Sequence, residues 1–152
     1  HIHRVKEIIK NVEKLNLKTY RHETNKKITN DVDIYIVDAY GKTKTFYSFC
    51  KNVFLGGSLV KHGGQNPLEA TRYGCNILHG PNTFNFREIY NFLKKNKISQ
   101  KINSEGDMTK HLIKLFSKKS SSKRIQNKLN IIGKKILKNT YKDLKLVLKN
   151  EI

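Results

Sequence analysis

Two segments carry residue types whose spacing could do chemistry. The first is Phe54-Leu-Gly-Gly-Ser-Leu-Val-Lys-His-Gly-Gly-Gln-Asn-Pro-Leu-Glu69. An apolar stretch runs into Gly56-Gly57, and a second pair, Gly63-Gly64, precedes a helix start at Asn66-Pro67. Glycine lets a ligand approach the backbone, and a helix N-terminus offers N–H groups and partial positive charge suited to phosphate. The second segment is His79-Gly-Pro-Asn-Thr-Phe-Asn-Phe-Arg-Glu-Ile-Tyr90, which also follows an apolar run and opens a helix. Both have a plainer reading. Asn66, Pro67 and Glu69 have the spacing of an N-cap, a first-turn proline and a capping-box carboxylate, and Asn85 with Glu88 repeats the form. Glycines alone mark turns, and His62 alone suits a surface position as well as a catalytic one. Two such loops at one sheet edge would converge on a pocket.

The elements that must position these loops follow from apolar spacing. Val5, Ile8, Ile9, Val12 and Leu15 predict an amphipathic helix over 4–16. Residues 17–21 read as a short strand, 22–30 as a polar loop and 31–37 as a strand alternating through Val32, Ile34 and Ile36. A turn at 38–41 leads to a helix over 42–50 and a buried strand over 52–55. Beyond the first loop and its helix come a buried strand at 76–78 and a helix over 85–96 with Ile89, Phe92 and Leu93 inward. A weaker strand at 98–102 and a helix over 107–117 follow. This alternation implies an α/β fold, a Rossmann-like parallel sheet with helices on both faces, whose ligands sit outside the C-terminal ends of the strands. Ser120-Ser121-Ser122 reads as a hinge before one long helix, 123–149. Ile125, Leu129, Ile132, Ile136, Leu144 and Val147 give that helix an apolar stripe. The stripe would pack on this domain or on a further one; a Lys-rich helix with an apolar face also suits a membrane surface. The expected division is a ligand-binding domain over 1–119, then hinge and helix over 120–152.

Composition bounds the partners. The 152 residues suit one ordinary domain, and 37% hydrophobic content is enough for a core. The net charge of +19 attracts nucleic acid, anionic lipid or phosphorylated substrates. It is spread along the chain, so it also fits a compositional bias that specifies no partner. Cys50 and Cys75 form no C-x-x-C pair and no metal cluster with histidine, so they read as reduced thiols. No apolar run approaches the roughly 20 residues that span a bilayer. The only Met is Met108, and the chain reads as a fragment of a longer protein.

Gly56-Gly-Ser-Leu-Val-x-His-Gly-Gly-x-Asn-Pro-Leu-Glu69 followed by Gly80-Pro-x-Thr-Phe-Asn-Phe86 resembles the paired signature of the bacterial Kdo (3-deoxy-D-manno-octulosonic acid) transferases. Asp38-Ala-Tyr-Gly41 resembles their Asp-Thr-x-Gly turn, and His1-Ile-His-Arg4 their His-Pro-x-Arg segment. The resemblance runs from residue 1 to about residue 117. Five positions depart from the family pattern: Ile2 for Pro, Ala39 for Thr, Lys42 for Glu, and Gln65 and Asn82 where His is common.

The resemblance implies the C-terminal half of a two-domain GT-B glycosyltransferase, binding the donor CMP-Kdo and transferring Kdo to a lipid A precursor held by an N-terminal domain. Glu69 would accept hydrogen bonds from the ribose hydroxyls. Gly57, Ser58, His62, Gly63, Gly64, Asn66, Thr83 and Asn85 would lie around the phosphate and sugar. Arg4 would pair with the phosphate, and Asp38, Tyr40 and Gly41 would lie beside the cytosine. Transfer would be inverting, with no cofactor and no metal. The base would be a carboxylate of the N-terminal domain, so this chain alone would bind donor without turnover. The protein would work at the cytoplasmic face of the bacterial inner membrane, associated through an N-terminal part outside this chain, against an anionic membrane surface, with no nucleic acid as partner. Two other readings stay open: another GT-B sugar-nucleotide transferase, and a basic nucleic-acid-binding module. The second would need aromatic platforms on a basic face, whereas the aromatics here sit mostly at core spacing.

Overall fold

The structure is a computed structural model that describes residues 4–23, 27, 29–117 and 122–150. His1 to His3 of the first motif, part of the expected 22–30 loop, and Ser120 and Ser121 of the expected hinge lie outside the described residues. The chain divides into two compact units, 1–45 and 46–152.

The first unit begins with α1 (Val5–Glu13), whose Val5 is buried. The apolar spacing predicts this helix to 16, but it stops earlier, and Asn16 takes a positive φ of 57°. Asparagine tolerates that left-handed region and so can close a helix. Strands β1 (Thr19–Arg21) and β2 (Ile34–Ile36) pair in parallel, with Thr19 opposite Ile34 and Arg21 opposite Ile36. Helix α2 (Thr43–Phe49) begins in this unit and continues into the second.

The second unit holds the loops of interest. Its strands are β3 (Asn52–Leu55), β4 (Asn76–His79) and β5 (Ser99–Lys101), paired in parallel and in chain order. Parallel neighbours need crossovers, and here α3 (Leu68–Arg72) and α4 (Arg87–Lys95) supply them. A 3-10 turn, Phe84–Phe86, precedes α4 where the periodicity predicts helix from 85. Helix α5 (Glu105–Phe116) starts two residues earlier than expected because Ser104 caps it: its hydroxyl accepts the Asp107 N–H at 3.1 Å. The long helix is α6 (Ser122–Asn150).

Two apolar clusters hold this unit. Leu55, Ala70, Cys75, Ile77 and Tyr90 form one, with Tyr47, Val53 and Phe86 against it. Leu93, Ile98 and Ile125 form the other, with Ile89, Phe92 and Leu129. The first turns of α6 are therefore part of this core. They are also pinned by hydrogen bonds from Gln126 Nε2 to Arg72 O and from Lys128 Nζ to Asn96 O. Beyond Ile132 the helix leaves Ile136, Leu137, Tyr141, Leu144, Val147 and Leu148 exposed. Both cysteines are free; Cys50 is exposed, and burial pushes the Cys75 thiol up to about 11, where it stays protonated. Among the described residues no helix is long and apolar enough to cross a membrane.

Leu93 is fully buried where α4, β5 and α6 meet, so Leu93→Ala should cost about 2–5 kcal/mol by urea unfolding. Leu137→Ala, 70% exposed on the distal part of α6, should stay within about 0.5 kcal/mol of the parent chain.

Candidate functional site: two loops at one sheet edge

β3 and β4 run side by side with Leu55 opposite His79. The loops that begin at Gly56 and Gly80 therefore leave the same edge from adjacent strands, as the two polar segments require. That edge is the C-terminal one, where open parallel sheets bind ligands.

The loops are tied by a ladder of hydrogen bonds. The Ser58 hydroxyl donates to Leu55 O at 2.6 Å and accepts the Gly80 N–H at 2.8 Å. The Asn82 N–H donates to Ser58 O at 2.9 Å, and Asn82 Nδ2 to Leu59 O at 3.2 Å. The Asn85 N–H donates to Gly63 O, and Asn85 Nδ2 donates to His62 O at 3.1 Å. Within the first loop the Gly64 N–H closes on Gly57 O at 3.1 Å. Gly63 has φ +85°, and a Cβ on it would lie 2.3 Å from Asn85 Nδ2. Both the left-handed backbone and the close approach demand glycine there. Asn85 thus joins the loops and does not cap a helix, as its spacing with Glu88 suggested; α4 begins after Phe86 without a side-chain cap. The Asn66 Oδ1 accepts the Leu68 N–H at 3.0 Å, but Pro67, not Asn66, takes the N-cap position of α3, which has no side-chain cap.

Below the loops lies a buried polar pair that the sequence did not single out. His79, 5% exposed, packs against Tyr90 with ring centroids 4.4 Å apart. Its Nδ1 lies 2.7 Å from Gly80 O. A carbonyl only accepts, so Nδ1 carries the proton. The Tyr90 hydroxyl donates to Gln65 O at 2.9 Å and so fixes the far end of the first loop. Burial depresses the His79 imidazole pKa below its usual range, outweighing the Gly80 carbonyl, which acts the other way. Burial pushes the Tyr90 phenol up to about 12.

The expected site residues of this unit therefore share one patch. Gly57, His62, Gly63, Gly64 and Asn66 stand on one loop, and Thr83 and Asn85 on the other. Glu69 is exposed in the first turn of α3. Its charge, after burial, contributes to raising the Tyr47 phenol. Ser58 differs from its expected place around a ligand: it is fully buried and its hydroxyl is engaged on both sides.

The remaining residues belong to the first unit. Arg4 opens α1, exposed, with Nε 3.3 Å from Glu7 Oε2. Asp38 is held by Arg21, whose Nε donates at 2.7 Å, and that guanidinium keeps the carboxyl below the usual range. Tyr40 is exposed, and Gly41 turns with φ +75°. Among the described residues, no group of three His, Cys, Asp or Glu side chains is placed to hold a metal ion.

Comparison with solved structures places the fold. The chain matches the crystal structure of the C-terminal CMP-Kdo binding domain of WaaA from Acinetobacter baumannii with a TM-score of 0.75, at 23% identity, over 84% of this chain and 66% of that one. The fold is accordingly that of the C-terminal half of a GT-B glycosyltransferase. No family model matches. The sequence is 33% identical to the 3-deoxy-D-manno-octulosonic acid transferase of Haemophilus influenzae over 108 residues, 70% of this chain and 25% of that protein. It is 34% identical to the same-named protein of Rickettsia felis over 122 residues, 80% of this chain and 26% of that protein. The chain belongs to the 3-deoxy-D-manno-octulosonic acid transferase family, and it spans about a quarter of the length of these relatives.

The buried His79 makes stability depend on pH. An unfolded imidazole titrates near 6.5, and the folded one lower. Between the two values only the unfolded chain binds the proton, so stability falls as pH drops below about 6.5. His79→Gln keeps a donor for Gly80 O and removes the titration. The urea midpoint of the parent should fall more steeply than the variant's between about pH 7 and 5.

Proposed function

We propose that this chain is the donor-binding part of a glycosyltransferase that transfers Kdo from CMP-Kdo to a lipid A precursor. The observation that supports this most is the pinned pair of loops at the C-terminal ends of β3 and β4, in a chain whose relatives are named for Kdo transfer. Exposed Glu69 beside the Gly63–Asn66 loop would accept from the ribose hydroxyls. Gly57, Gly63, Gly64, Asn66 and Thr83 would surround phosphate and sugar.

The reaction is a displacement at the anomeric carbon. A base takes the proton of an acceptor hydroxyl, the oxygen attacks, and CMP leaves as its phosphate gains charge. This chain's share is to bind CMP and stabilise that charge with prearranged donors. The base and the acceptor site belong to the rest of a longer protein, and no metal or cofactor enters the scheme.

Two measurements test this reading. Glu69→Ala should weaken CMP binding by about 1–3 kcal/mol in a calorimetric titration. Unchanged affinity in a folded variant would reduce Glu69 to a helix-start residue. The isolated chain should bind CMP without transferring Kdo, and turnover by it would contradict the division of labour.

Membrane attachment is supported by the distal part of α6. Among the described residues after Ile132, Lys134, Lys135, Lys138, Lys142 and Lys145 outnumber the one acid, Asp143, and accompany the exposed Leu137, Tyr141, Leu144 and Leu148. Basic amphipathic helices bind anionic lipid surfaces, at about 1 kcal/mol per lysine near the surface. Changing Lys138, Lys142 and Lys145 together to Gln should release the protein from vesicles containing phosphatidylserine, read by co-sedimentation. Equal binding of parent and variant would remove this support.

A further inference from the structure

Ser58 has no exposed atom surface, yet it stands in the middle of the loop proposed to bind the donor. Its hydroxyl donates to the last residue of β3, Leu55, and accepts from Gly80, the first residue after β4. Its carbonyl accepts the N–H of Asn82. Gly80 completes the fit, since a Cβ on it would fall 2.3 Å from Ser58 O. All the polar capacity shown for this residue is directed into the sheet edge and the neighbouring loop.

We infer that Ser58 is a positioning residue: it sets the separation of the two donor loops without touching the donor, and Gly80 is the small residue that lets it do so. This rests on the donor-binding reading above. Placement of groups within a fraction of an ångström governs how well a prearranged site works. Ser58 bridges the roots of both loops, while Asn85 and Tyr90 tie them further out, at Gly63 and Gln65. Without its hydroxyl the Gly80 N–H and Leu55 O lose their shared partner, and the loop roots are free to separate.

The test uses Ser58→Ala, Ser58→Cys and a control, Ile77→Val, in the buried centre of β4. CMP is the probe, and each chain is followed by thermal unfolding, calorimetry and amide hydrogen exchange. Ser58→Ala should weaken CMP binding at least about tenfold, an effect of roughly 1.4 kcal/mol. It should speed exchange at Gly80, Asn82 and Asn85 while leaving Ile77 and Ile98 unchanged. Ser58→Cys, a weaker hydrogen-bonding group of similar shape, should recover part of the affinity, and it carries the comparison if Ser58→Ala does not fold. Ile77→Val should lower the melting temperature and leave CMP affinity intact. The inference is overturned if Ser58→Ala affects affinity no more than Ile77→Val, or if a CMP complex places Ser58 Oγ within hydrogen-bond distance of the nucleotide. If the parent chain binds no CMP, the donor reading fails. The exchange pattern still decides the latch: faster exchange confined to the loop amides supports it, and faster exchange throughout the sheet overturns it.

Discussion

The arrangement depends first on the register of two short strands. With β3 and β4 parallel and adjacent, Leu55 stands opposite His79. Gly56 and Gly80 then leave the sheet together, and the Ser58 hydroxyl can reach both strands. A slip of one residue would turn alternate side chains to the other face. It would also separate Gly80 from Ser58. The apolar content of Val53, Leu55, Ile77 and Leu78 holds the register by burial, and the loops inherit their geometry from it.

Burial and charge play separate parts in the two units. His79 and Tyr90 are enclosed, and enclosure keeps both neutral: the imidazole pKa is lowered and the phenol raised. They work as fixed hydrogen-bonding groups beneath the loops. Arg21 and Asp38 do the reverse in the first unit, where an ion pair at the ends of β1 and β2 keeps a carboxylate charged. The large positive charge of the chain acts at longer range and determines none of these local contacts.

Much of this was legible beforehand. The apolar run 52–55 marks that strand at its observed bounds, and glycine position with apolar runs alone places both loops at strand ends. The helix start at Asn66-Pro67 is legible because it depends on nearest neighbours in sequence, although Pro67 and not Asn66 takes the N-cap position. Asn85 misleads for the same reason: its local spacing with Glu88 fits a cap, while its partners are His62 and Gly63 on the other loop. Helix lengths near Asn16 and Ser104 shifted by a few residues, where a left-handed turn and a side-chain cap set the boundary. The buried pair His79 and Tyr90 left no local signal. Histidine at a strand end and tyrosine in an amphipathic helix are unremarkable until the fold stacks them.

The sequence by itself determined the family, the alternation of elements and which residues have the chemistry to meet a sugar nucleotide, because motifs, periodicity and residue type are local properties of the chain. Only the tertiary structure decided where each of those residues stands. Glu69 is left at the surface, Ser58 is shut away between two strands, and Asp38 is committed to Arg21. Burial and hydrogen-bond partners are settled between segments distant in sequence, so residues alike in a motif come to hold different roles.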